Sequence, residues 1–153
     1  MAELTVNKAI EVADLKNHSC KTQDLHIHGY TSVSPVNNSL DIYGTDKILI
    51  IELIKEKYFL KEKIIAGFPY LQAEVIWAVR EEMARTIEDV LARRIRLLFL
   101  DAKAAIEAAP KVAELMAGEL GCDEEWKQNQ LKSFYAIAKN YLVKSYGQQI
   151  AIN

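Results

Sequence analysis

Apolar residues recur along this chain mostly at the three- and four-residue steps of a helix, and seldom at the two-residue step of a strand. Val6, Ala9, Ile10 and Ala13 share one face and predict a short amphipathic helix over residues 1–15. The text then changes character. Residues 16–44, "KNHSCKTQDLHIHGYTSVSPVNNSLDIYG", are rich in Asn, Ser, Thr, Gly and Pro, and only "DLHIHGY" alternates, so this part reads as a linker with one short extended segment. From 45 to 143 the helical period returns. Thr45 is a candidate N-cap, with Asp46 suited to the positive end of the helix dipole. Ile48, Ile50, Ile51, Leu53 and Ile54 follow so closely that this helix is expected to be buried over much of its girth.

"GFPY" at 67–70 interrupts the pattern, and Ala73, Ile76, Trp77, Val79, Arg80 and Met83 form the face of the next helix. Thr86 followed by Asp89 imitates an N-terminal capping pattern and predicts a new helix near Ile87, with Ile87, Val90, Leu91, Ile95 and Leu98 inward. Further on, Ala105, Ala108, Ala109, Val112, Leu115 and Met116 keep one apolar line across Pro110 without a phase shift. The proline is therefore expected in a kink or tight joint rather than a loop. Gly121 is the natural residue to close that helix, and Asp123, Glu124 and Glu125 load the first turn of a last one, whose face is Leu131, Phe134, Tyr135, Ala138, Tyr141 and Leu142. Residues 144–153 are weakly patterned and read as a loose tail. The expected class is all-α: a compact multi-helix domain preceded by a short helix and an extended linker.

Composition narrows the function. Six Gly and three Pro in 153 residues leave few turns for an all-β architecture. A formal charge of −2 argues against a protein that holds nucleic acid or an anionic membrane by a global positive field. No apolar run approaches the ~18 residues needed to span a bilayer. The N-terminal text lacks the basic start and apolar block of a secretory signal, so a cytoplasmic location, or the cytoplasmic face of a membrane, is expected. Cys20 and Cys122 form no C-x-x-C pair and read as free thiols.

Candidate chemistry is sparse. His18, Cys20, His26 and His28 crowd together but match no common zinc spacing, so no metal ligand is assigned. There is no G-x-G-x-x-G, no G-x-x-x-x-G-K-[ST] and no G-x-S-x-G, hence no phosphate cradle or nucleophile elbow. The consecutive pairs Glu81/Glu82 and Glu124/Glu125 point in different directions around a helix and suit solvation better than acid–base work. No catalytic or cofactor-binding residue is assigned in this chain. What stands out is "ARTIEDVLARRIRLLFLD", residues 84–101. Arg85 lies within reach of Glu81 or Glu82, and Arg93 within reach of Asp89. Arg94 falls between apolar positions and is expected to turn inward, where it needs a carboxylate such as Asp101 or Glu74, one from the acidic first turns, or one from another domain. Arg96 is left for an outside surface. With Glu88 and Asp89 interleaved there is no common basic face, so no nucleic-acid partner is expected. An independent binding module that uses the helix 86–101 is the alternative, and it requires the arginines to be exposed together.

From Ala73 to Ala105 the sequence fills the pattern A-E-V-x-x-A-V-R-x-E-M-A-x-T-x-x-D-x-L-x-R-R-x-R-x-x-F-x-D-x-x-A-A. That pattern resembles the C-terminal domain of the FAD-dependent, respiratory glycerol-3-phosphate dehydrogenases. "MAELTVNKAIEVADL" looks like the last helix of the family's FAD domain and the "HIHGY" stretch like the linker after it, so the resemblance covers nearly the whole chain. Ile95 departs from the family, which usually carries a small polar residue, often Thr, between these arginines. The resemblance implies a fragment: flavin-binding and catalytic residues belong to an N-terminal Rossmann-type domain that this sequence does not include. The whole enzyme then oxidises sn-glycerol 3-phosphate to dihydroxyacetone phosphate and passes electrons from FAD to quinone at the membrane face. FAD is the parent's cofactor, the FAD domain is the implied partner, and a homo-oligomeric contact stays open. Arg80, Arg93, Arg94, Arg96, Asp89 and Asp101 are the structural or interface candidates.

Overall fold

The computed structural model describes residues 1–33 and 39–143, so the tail at 144–153 lies outside the described residues. The chain divides into two units, Met1–Ser34 and Pro35–Asn153. In the first, helix α1 runs over Ala2–Val12, with Glu3 in its first turn and an ion pair between Lys8 and Glu11 at 2.9 Å. None of its residues is buried. The alternating "DLHIHGY" forms no strand. It bends, turns at Gly29 (φ 77°) and stacks His26 on Tyr30 with ring centres 3.9 Å apart. The ring contact competes with extension, since stacking at that separation requires the chain to fold back.

Among its described residues the second unit is built of helices, with one isolated antiparallel bridge between Lys63 and Leu71. A 3-10 segment, Ser39–Asp46, leads into α2 (Lys47–Glu56), and a 3-10 turn, Tyr58–Lys61, follows. Helices α3 (Gln72–Arg80), α4 (Leu97–Leu100), α5 (Ala102–Leu120) and α6 (Glu124–Ala138) complete it, with a π-turn at Asp89–Arg94 and a closing 3-10 turn at Lys139–Tyr141. Helix α3 is the shared element of two apolar clusters. Val75, Ala78 and Val79 face one, made with Val90, Leu91 and the apolar side of α5. Ala73, Ile76 and Trp77 face the other, with Leu40, Ile50 and Leu60. Every residue from Gln72 to Val79 is buried, which is why the helix shows apolar positions nearly all round. Helix α5 buries Ala104, Ala105, Ala108, Ala109, Ala113 and Ala117, and these small side chains let neighbouring backbones approach closely.

The local signals read from the sequence mostly took effect. Pro110 sits inside an unbroken α5, Gly121 closes it in the left-handed conformation (φ 69°), and the Asp123 carboxylate accepts from the Trp126 N–H at 2.9 Å. Four expectations did not hold. Thr45 does not cap α2: Asp46 occupies the N-cap position and makes no side-chain capping bond to the helix, because the 3-10 segment with its kink at Gly44 already supplies the turn. Helix α2 buries Ile50 alone, while Ile48, Leu49 and Ile51 remain exposed, since only one side of it meets α3. Met83 is not on the face of α3, which ends at Arg80; the residue lies beyond the helix with φ 56° and is 76% exposed. Tyr141 is likewise exposed, on the closing turn rather than in the core, with its ring edge-on to Phe99.

Candidate functional site

The arginine-bearing stretch is no single helix. It begins at Ile87 as the sequence suggested, and the Thr86 hydroxyl accepts from the Asp89 N–H at 3.1 Å while the Asp89 carboxylate accepts from the N–H groups of Thr86 and Arg85, each at 3.0 Å. This is a reciprocal capping arrangement that uses the shorter Asp in place of Glu. Burial works to raise the Asp89 carboxyl, but the hydrogen bonds from Arg85 and Thr86 and the charge of Arg93 outweigh it and hold the carboxyl below the usual range. After one turn the hydrogen bonding widens. The Ile95 N–H donates to the Val90 carbonyl at 3.0 Å, five residues back, and Arg96 then adopts a left-handed conformation (φ 59°) that starts α4 in a new direction. Ile87, Val90, Leu91, Ile95 and Leu98 are all buried despite the break. Ile95, where the resembled family carries a polar residue, packs in the core at 3% exposure, so apolar contact stands where a hydroxyl would need a partner.

Each arginine has a separate fate. Arg80 makes a two-pronged pair with Glu119, which lifts the guanidinium's pKa through the hydrogen bonds and lowers that of the carboxylate. Arg85 does not pair with Glu81 or Glu82. Its guanidinium donates to the carbonyls of Val79 (3.0 Å) and Ala84 (2.9 Å), because the turn after α3 moves both glutamates away from the helical spacing. Arg93 pairs with Asp89 at 2.8 Å and with Glu88 at 2.7 Å. Arg94 is half-buried; its partner is Glu82, by Nε to carboxylate at 3.3 Å and by a further bond to the Glu82 carbonyl. Neither Asp101 nor Glu74 takes that place. Asp101 instead caps α5, accepting from the Ala104 N–H at 3.0 Å. Arg96 is exposed and has no ion pair among the described residues.

Helix α3 also carries a buried carboxylate, Glu74. Glu74 is 0% exposed; one carboxylate oxygen accepts from the Tyr43 hydroxyl at 3.0 Å and the other from the Leu71 N–H at 2.6 Å. Burial raises its pKa, opposed by these two hydrogen bonds and reinforced by the charge of Glu82. Burial, then the Glu74 carboxylate, pushes the Tyr43 phenol upward as well. Burial also raises Glu82, with Arg94 and a hydrogen bond from Trp77 working the other way. Tyr43 was not singled out in the sequence, and Glu82 was considered only beside Glu81 and as a partner of Arg85, not of Arg94. The pairing of Glu82 with Arg94 depends on the tight turn at Met83, and that of Tyr43 with Glu74 on a contact between remote segments, so neither leaves a periodic trace.

Around the break the surface is grooved. A cleft of about 550 Å³ is lined by Ile42, Tyr70, Ile95 and Arg96, and a second of about 370 Å³ by Lys103, Tyr141 and Leu142; Phe99 and Leu100 line both. Among the described residues no group of three or more His, Cys, Asp or Glu side chains is arranged so that it could hold a metal ion. A dinucleotide cradle needs a strand, a glycine-rich turn and a helix N-terminus. The described residues contain no strand and the sequence no G-x-G-x-x-G, so the residues present do not fit FAD.

Most of the motif's polar groups thus close turns, cap helices or pair within the domain, as befits an accessory helical domain. The chain belongs to the family described as the C-terminal domain of alpha-glycerophosphate oxidase, whose model matches residues 22–127. It is 31% identical over 167 residues to the mitochondrial glycerol-3-phosphate dehydrogenase of Macaca fascicularis, covering 96% of this chain and 22% of that protein. Against the protein of the same name from Rattus norvegicus it is 33% identical over 153 residues, covering 87% and 21%. A probable mitochondrial glycerol-3-phosphate dehydrogenase of Dictyostelium discoideum is 33% identical over 159 residues, covering 93% and 24%. The chain therefore spans roughly a fifth to a quarter of the length of the curated relatives it matches. No solved structure matches it. Among the described residues no helix is long and apolar enough to cross a membrane.

Proposed function

We propose that this chain serves as the helical C-terminal domain of an FAD-dependent glycerol-3-phosphate dehydrogenase. The parent would convert sn-glycerol 3-phosphate to dihydroxyacetone phosphate, a two-electron oxidation for which FAD held by its other domain would supply the redox chemistry and quinone the electron acceptor. The chemistry belongs to the parent's FAD domain, and the isolated chain neither binds flavin nor turns over substrate. The observation that carries this reading is the use made of the motif. Asp89, Arg94 and Asp101, together with Glu74, bind backbone groups that close turns and cap helices, which gives them a structural role within the domain. The alternative of an independent arginine-based binding module loses its ground, since Arg93 and Arg94 are paired with acids of the same domain.

We place the parent at a membrane surface facing the cytoplasm on the strength of the same resemblance, although the relatives are named mitochondrial; fractionation of cells that express the parent tests this. The activity is tested with the purified chain, alone and joined to the upstream domain of its reading frame. Flavin absorbance and dye reduction by glycerol 3-phosphate are expected only in the joined form. Turnover by the isolated chain would sink the reading.

A further inference from the structure

Helix α4 has an unusual position for four apolar residues. Leu97 and Leu98 are buried, but the next two, Phe99 and Leu100, are 54% and 66% exposed and stand between the two clefts as a ridge. Four consecutive residues go all the way round a helix, so a core on one side cannot take them all, and an exposed Phe-Leu pair flanked by Ile42 and Tyr141, both exposed, makes a contiguous apolar surface of the kind that marks an interaction site. The ridge is aimed by a strained backbone: Arg96 in the left-handed region turns the chain just before it, and the Asp101 cap fixes the chain just after it. At its two ends stand Arg96 and Lys103, both exposed and without an ion pair among the described residues, whereas the neighbouring Arg93 and Arg94 are paired.

We infer that this ridge and its clefts form the surface on which the parent's FAD-binding domain docks, with apolar side chains of that domain entering the clefts and its carboxylates meeting Arg96 and Lys103. The inference rests on the parent enzyme proposed above, and it names the contact face and its chemistry. Two observations select this occupant. The matched relatives are four to five times longer than the stretch this chain covers, so a domain of this family carries a large body of the same polypeptide to pack against. The surface is also concave on both sides of the ridge, with clefts of about 370 and 550 Å³ that suit inserted side chains. A lipid surface offers no such knobs and needs no clefts.

The test places a photo-crosslinking phenylalanine analogue at Phe99 in the parent enzyme and maps the products by mass spectrometry. Crosslinks within one polypeptide to the FAD-binding domain are expected, at a yield that falls about tenfold when Arg96→Glu and Lys103→Glu are added. Flavin content is read on every sample. A flavin-loaded enzyme whose Phe99 crosslinks to nothing, or only to a second copy, overturns the docking face and leaves the parent reading intact. An enzyme without flavin overturns both. As a second measurement, the 153-residue chain is sedimented with phosphatidylcholine–phosphatidylglycerol vesicles. It is expected to stay in the supernatant, and pelleting that Phe99→Asp abolishes would assign the ridge to a membrane instead.

Discussion

The two halves of the arginine segment look alike in sequence and behave oppositely in the fold. Up to Arg94 every charged group is bound: Arg85 to two carbonyls, Arg93 to Glu88 and Asp89, Arg94 to Glu82. From Arg96 to Leu100 the cation and two large apolar side chains are exposed, with the Phe99 ring set edge-on to Tyr141. The widened turn at Asp89–Arg94 and the reversal at Arg96 divide them. A charge-dense stretch is therefore not a patch. What a guanidinium does depends on whether backbone carbonyls and carboxylates within a few ångströms claim it first.

Substitutions on either side of the divide measure that difference. The largest effect is expected in the core that both halves share: Leu91→Ala, at a fully buried position, destabilises by about 2–5 kcal/mol and lowers the thermal midpoint by ten degrees or more. Arg94→Ala comes next, at about 1–3 kcal/mol, because it strips both the Glu82 carbonyl and a partly buried carboxylate of their partner. A cost near zero for Arg94→Ala in chemical denaturation would erase the distinction between the halves. Asp89→Asn is expected to cost about 0.5–2 kcal/mol at neutral pH through the weakened cap. Its pH dependence adds a sign. The Asp89 carboxyl sits below its ordinary value, so its contribution is complete above the unfolded carboxylate range and is lost as pH falls through the lowered folded value. The Asn variant lacks that acid limb. Smallest and opposite is Arg96→Gly: relief of the left-handed backbone outweighs the added chain entropy and gains roughly 0.5 kcal/mol in the isolated domain.

Much of the fold was legible because it is written locally. A glycine at the end of α5, an aspartate before α6 and a proline that holds phase each act within one turn, and the all-helical class follows from periodicity alone. Where the reading went astray, the decisive partner was remote or the backbone left its period. Arg94 was rightly expected to need a carboxylate, but Glu82 could be named only by knowing that Met83 turns the chain back on itself. The capping by Asp89 follows the pattern read from the sequence, and the shorter side chain reaches two N–H groups once the turn is tight. The ridge had a faint signal, since four consecutive apolar residues at Leu97–Leu100 cannot all face one core. The two clefts beside it, assembled from segments some fifty residues apart, had none.

The place of α3 between two clusters also bears on how the domain comes apart. With Ala73, Ile76 and Trp77 committed to one side and Val75, Ala78 and Val79 to the other, neither cluster can open without baring half of the same nine-residue helix. Fraying of α2 leaves one of these faces wet and the other dry, which is a halfway state with little to recommend it. The amides of α3 should accordingly exchange with solvent only when the whole unit unfolds, and the two clusters should melt in a single transition.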